Sequence, residues 1–199
     1  MTLDRKRYPE LIEARINNPA SLQKALKKRA RRTVAGKDGK LMLLAADHTA
    51  RGIIAAGNNP TAIADRYVLL DKLIRGLAVA GVDGVMASAD ILEELAWLGA
   101  LEEKVAIGTM NRGGIIGASW ELDDRLTAYD AEHIKSMGLD GGKTLLRIDE
   151  TDPGTARTIE MVAQLTTQLA DLELVSMIEP LPYLKNAEGR AVLDPSERS

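Results

Sequence analysis

The sequence predicts an α/β fold built on a parallel sheet, and three observations carry that reading. Short apolar runs of strand type alternate with longer stretches of helical periodicity from Lys40 onward. The runs are nearly continuous in Val, Ile, Leu, Ala and Met, as strands buried on both faces require. Polar residues close run after run: Asp47-His48, Ser88 with Asp90, Asn111-Arg112, Arg147 with Asp149, and Glu179.

In chain order, residues 1–39 read as an N-terminal helical lead-in segment. Leu11, Ile12, Ile16, Leu22 and Leu26 recur there among charges, and Asn17-Asn18-Pro19 divides the stretch into two short helices. Its end, Lys24 to Arg32, places six basic residues in nine positions, and it reads as a solvated helix face. A nucleic-acid patch is the weaker reading, because no aromatic or binding motif accompanies the run in an otherwise acidic chain. Residues 40–199 form the second unit. Five strands are predicted at 41–47, 84–88, 105–110, 144–149 and 174–179. Helices are predicted at 61–80, 91–101, 128–137 and 154–172, the last starting after Asp152-Pro153, a favourable helix opening. Pro180 follows Glu179 and is expected to take the chain out of the fifth strand.

Two architectures accommodate this order. A doubly wound nucleotide binder needs a glycine-rich phosphate turn directly after the first strand, and that position reads Ala46-Asp47-His48-Thr49-Ala50-Arg51-Gly52. A TIM (β/α)8 barrel gathers its active site from polar residues at the C-terminal ends of successive strands, which is the pattern present. The expected fold is therefore a partial TIM barrel, incomplete at about five parallel strands and preceded by the helical segment.

Composition excludes several classes. With 199 residues, net charge −3 and pI near 5.5, the chain offers no global attraction for nucleic acid or an anionic membrane. Zero cysteines remove disulfides and thiolate chemistry and fit a reducing, cytoplasmic setting. Aromatics at 3% with no phenylalanine argue against stacking on nucleobases. The apolar run from Leu41 to Ala46 is too short to cross a bilayer, and the opening residues lack an export signal. His48 and His133 are the only histidines, so a zinc site is disfavoured, and no cofactor is expected. An all-carboxylate magnesium site stays open.

Alternation in the fourth strand puts Lys143, Leu145, Arg147 and Asp149 on one face. A desolvated inward lysine beside another cation would offer free amine to a carbonyl. Spacing alone leaves a second placement open, with Lys143 in a Gly141-Gly142 turn facing solvent. Asp47 and His48 could handle protons or hydroxyls at the first strand's rim, or serve as a cap and a packed ring. Asn111 and Arg112, followed by Gly113-Gly114, could hold a phosphate or form an ordinary loop. Glu179 is either an acid/base or an ion-pair partner of Lys143.

Taken together, Leu43 to His48, Gly142 to Asp149 and Met177-Ile178-Glu179-Pro180-Leu181 resemble the class I aldolase superfamily. That superfamily includes deoxyribose-phosphate, tagatose-bisphosphate and archaeal-type fructose-bisphosphate aldolases. The chain is most similar to its deoxyribose-phosphate aldolase-like (β/α)8 members. The resemblance spans residues 7–190 and implies a lyase of carbohydrate metabolism acting through a lysine Schiff base. Asp47, Lys143 and Glu179 would be its catalytic residues, and His48, Asn111, Arg112, Arg147 and Asp149 its substrate contacts. It implies a phosphorylated sugar or keto-acid substrate: deoxyribose phosphate, a ketohexose bisphosphate, or the deoxy-keto-acid phosphate of inositol breakdown. A homo-oligomer is expected for the intact protein. The lysine that usually forms the Schiff base lies on the sixth strand of such barrels, so the chain is expected to be truncated before it and to turn over little alone. The alternative is a non-catalytic fragment that binds a sugar phosphate or a partner.

Overall fold

The computed structural model describes residues 2–36, 38–111, 125–185 and 191–193. Two short helices open it, α1 (Arg7–Asn17) and α2 (Pro19–Lys28), separated at Asn18 as the Asn-Asn-Pro sequence predicts. Pro19 sits in the first turn of α2, where its missing N–H is not needed. Leu11, Leu22 and Leu26 are wholly buried, and α2 packs against α4.

The remaining elements are β1 (Leu43–Ala46), a 3₁₀ turn (His48–Arg51), α3 (Arg66–Leu77), β2 (Gly84–Ala87), α4 (Ala89–Trp97) and β3 (Val105–Thr109). They continue with α5 (Ala131–Ser136), β4 (Gly141–Ile148), α6 (Gly154–Asp171), β5 (Val175–Lys185) and β6 (Ala191–Leu193). Strands β1 to β5 are parallel and neighbour one another in chain order, forming a curled half-barrel. Helices cover the convex face through a core that includes Leu70, Leu92, Ile134 and Leu169. The concave face carries a second, smaller apolar layer of Met86, Val105 and Ile107, with Leu43, Val175 and Met177 against it. Among the described residues no helix is long and apolar enough to cross a membrane.

Three departures from the sequence reading have physical causes. Strand β4 begins at Gly141, not at 144, so Lys143 lies inside the sheet and the solvent-facing turn placement is excluded. The two glycines serve close packing: a Cβ on Gly141 would lie 2.4 Å from the Val175 carbonyl oxygen, and one on Gly142 2.4 Å from Met110 Sδ. Strand β5 does not end at Glu179 but runs through Pro180 and Pro182 to Lys185. Alternate N–H groups of a strand point to opposite edges. Both prolines share one parity, so the missing donors fall on one edge and pairing with β4 continues past them. Strand β6, antiparallel to the end of β5, is three residues long and gave no periodic signal.

Lys24, Lys27 and Lys28 of the basic run are exposed on α2, as a solvated face expects, but the arginines that follow are drawn into ion pairs. Arg29 is buried, with Nη2 donating to Asp140 Oδ2 at 2.8 Å and to Gly138 O at 3.0 Å, and Nη1 to Lys104 O at 3.0 Å. Arg31 pairs with the other Asp140 oxygen at 2.9 Å, and Arg32 pairs with Asp83 at 2.7 Å. Asp83 and Asp140 immediately precede β2 and β4. The arginines thus clamp the lead-in segment under the N-terminal ends of β2 and β4.

Candidate active site

Strand register decides which side chains meet. Thr109 of β3 pairs with Lys143 of β4, while Ala45 pairs with Met86, Met86 with Ile107, and Ile107 with Gly141. Asp47 stands two residues beyond Ala45, on the same face and at the level of Thr109 and Lys143. One polar layer therefore sits directly above the apolar layer of the concave face.

Lys143 Nζ lies 2.9 Å from Asp47 Oδ2 and 2.5 Å from Glu179 Oε2. The Lys143 and Asp47 side chains are 1% and 2% exposed, whereas that of Glu179 is 48% exposed. A buried ammonium thus links an enclosed carboxylate to one that reaches solvent. Three donors converge on Asp47 Oδ2: Lys143 Nζ, Arg51 Nη1 at 2.5 Å and Thr109 Oγ1 at 3.4 Å. The other oxygen, Oδ1, has His48 Nδ1 at 3.8 Å, beyond hydrogen-bond reach, and the imidazole is half exposed at the rim. Burial alone would raise the Asp47 carboxyl, but the charges of Lys143 and Arg51 and their hydrogen bonds outweigh it and hold it below the usual carboxylate range. Asp47 is therefore an anion locked at one oxygen and offered at the other.

The sequence reading placed another cation beside Lys143 to free its amine. The atoms in contact with Nζ are instead carboxylate oxygens, and the neighbouring cation, Arg51, shares one of them. Arg51 was not anticipated as a site residue. Its Nε and Nη2 are buried without a hydrogen-bond partner. Its position four residues after Asp47, in the turn leaving β1, was the available signal.

The proposed substrate contacts divide. Arg147 is buried on the Lys143 face of β4, its guanidinium 5.4 Å from the centre of the Tyr183 ring. Asn111 is fully buried, and its amide is spent on β4: Nδ2 donates to Leu145 O and Oδ1 accepts from Leu145 N, both at 2.8 Å. These two bonds extend the β3–β4 pairing past the end of β3, which gives Asn111 a part in strand register. Asp149 Oδ1 accepts from Thr151 N at 2.9 Å and Thr151 Oγ1 at 2.7 Å, shaping the turn into α6. Arg112, with Gly113 and Gly114, lies outside the described residues. Among the described residues no cluster of histidines and carboxylates is placed to hold a metal ion.

A family model described as Cgl0159-like matches residues 39–199, which includes Asp47, Lys143 and Glu179. The chain belongs to the Cgl0159-like family. Cgl0159 from Corynebacterium glutamicum (Brevibacterium flavum), whose crystal structure is solved, is 41% identical to it with a TM-score of 0.92. The alignment covers 96% of this chain and 65% of that protein, so the chain spans less than two thirds of its Cgl0159 relative. No curated protein matches the chain.

Proposed function

We propose that this chain is the first five β/α units of a TIM-barrel lyase of the class I aldolase type. Its reaction is reversible aldol cleavage of a phosphorylated ketose or deoxy-sugar. The observation that carries the proposal is Lys143 Nζ held between Asp47 Oδ2 and Glu179 Oε2, level with the C-terminal ends of β1 and β3. Burying an ammonium and a carboxylate costs several kcal/mol of desolvation per ion, roughly, so a polar layer in this position is an expense that packing does not require.

In the proposed reaction a lysine of the whole barrel condenses with the substrate carbonyl, releasing water and forming an iminium. The hydroxyl on the carbon to be released loses its proton and becomes the carbonyl of the departing fragment, while the electron pair of the breaking carbon–carbon bond flows into the iminium to give an enamine. Asp47, ionised and with Oδ1 uncommitted, takes that proton. Lys143 orients the substrate oxygen and bridges Asp47 to Glu179, whose carboxylate reaches solvent. Arg147 supplies positive charge on the same strand face.

The test is borohydride reduction of full-length Cgl0159 in the presence of dihydroxyacetone phosphate and other sugar phosphates, followed by peptide mass analysis. A reduced adduct on one lysine is expected. Absence of any adduct across the panel, in folded protein, refutes the iminium. Saturable binding of the same compounds without any cleavage product would identify a binding module instead.

A further inference from the structure

Beside the Asp47 cluster, at the ends of β1, β2 and β3, lies a cleft of about 500 Å³. Thr49, Arg66, Ser88, Asp90, Thr109 and Thr127 contribute its polar lining. The volume is within the range of small-molecule sites, roughly 300–1,000 Å³. Thr109 belongs to both places, since its hydroxyl lies 3.4 Å from Asp47 Oδ2. A ligand in the cleft is therefore one side chain away from the proposed base.

The far wall is the returning chain at 127–129. Thr127 N and Ala128 N both donate to Met110 O, at 3.2 and 3.1 Å, and Tyr129 N donates to Thr109 O at 3.3 Å. These bonds fasten the wall to the end of β3.

Charge decides what kind of ligand fits. The guanidinium of Arg66 is already engaged by two carboxylates, with Nε donating to Glu94 Oε2 at 2.7 Å and Nη2 to Asp90 Oδ2. Asp90 Oδ1 in turn accepts from Ser88 Oγ at 2.5 Å. Burial pushes the Asp90 carboxyl up, but the Ser88 hydrogen bond and the Arg66 charge outweigh it, so the group is an anion at neutral pH. Its side chain is 53% exposed. A phosphate entering the cleft would face that anion, while the nearby cation is balanced. Among the hydroxyls that line the cleft, those of Ser88 and Thr109 give their hydrogens to Asp90 and Asp47 and so turn acceptor lone pairs to the O–H donors of a neutral polyol.

We propose that this cleft is the subsite for the uncharged, hydroxyl-bearing part of the ligand, with Thr49, Ser88, Asp90 and Thr109 as its specificity residues. Its use as a substrate subsite rests on the lyase reading, whereas its binding of a polyol does not.

The probe is erythritol, a neutral tetrol without a carbonyl, titrated against the isotope-labelled chain, with inorganic phosphate titrated separately. Erythritol should shift the backbone amides of Thr49, Ser88 and Thr127 saturably, and phosphate should leave them in place. Ser88→Ala should weaken erythritol about three- to tenfold, the worth of one hydrogen bond. Thr49→Val gives a second variant should the first not fold. Unmoved amides with erythritol, or saturable shifts of the same amides by phosphate, would overturn the assignment. Erythritol cannot form an iminium, so failure of this titration is distinguishable from failure of borohydride trapping.

Discussion

Asp47→Asn isolates what the buried cluster is worth. The substitution keeps the shape of the side chain and removes its charge. Arg51 then loses the carboxylate of its only ion pair among the described residues, while Lys143 keeps Glu179 at 2.5 Å. Breaking a buried pair by removing one partner costs about 3–5 kcal/mol. The lower end applies here, because Asn retains an acceptor oxygen and Lys143 retains a carboxylate. With a urea dependence of about 2 kcal/mol per molar, a loss of about 3 kcal/mol lowers the unfolding midpoint by about 1.5 M. The pH dependence follows from the depressed Asp47 carboxyl. Its stabilisation is complete above the unfolded value of about 4 and is lost as the pH falls through the lower folded value. The variant should lack that acid-side loss. Lys143→Met should cost less in this background than in the parent, because one of the two carboxylates that hold the lysine is already gone. An unchanged midpoint, or strictly additive losses in the double variant, would refute the reasoning.

Two further perturbations test how the site is held. Asn111→Ala should cost about 2 to 4 kcal/mol, because it strands the buried Leu145 N–H and C=O that the amide now satisfies. Hydrogen exchange should show the Leu145 amide losing protection ahead of its neighbours. Gly141→Ala should be worse than an ordinary strand substitution, since its Cβ would meet the Val175 carbonyl oxygen at 2.4 Å and backbone cannot yield as a side chain would. Thermal unfolding should register a loss of at least about 1–3 kcal/mol.

Much of the framework was legible from local pattern. The cores of β1, β2 and β3 are continuous apolar runs, and α1, α2 and α6 carry their own punctuation in Asn17-Asn18-Pro19 and Asp152-Pro153. The failures have a common origin in tertiary context. Gly141-Gly142 looks like a turn locally and is a close approach of strands. Pro180 looks like a terminator locally, yet its missing N–H faces the edge that β4 does not use. Arg29, Arg31 and Arg32 look like a solvated charge run, yet the acids they pair with lie far away in sequence. The candidate site was partly visible. Strand-end polarity pointed to Asp47 and Glu179, and alternation in the fourth strand to Lys143, without showing that Lys143 touches both carboxylates, because its contact with Asp47 depends on register across residues 96 apart. Thr109 continues the alternation of Val105 and Ile107 and was readable by the same rule. The engagement of Asn111 with β4 was not, since nothing in its neighbourhood names Leu145.

The account turns on Lys143 acting in carbonyl chemistry and not merely filling the half-barrel. The direct measurement is the rate of carbon–carbon cleavage of a sugar phosphate by the full-length family member, compared with a variant in which the residue equivalent to Lys143 is methionine. Cleavage by the parent and a fall in kcat of at least about a hundredfold in the folded variant are predicted. A variant that cleaves as fast as its parent, or a parent that cleaves none of these substrates, would contradict the account.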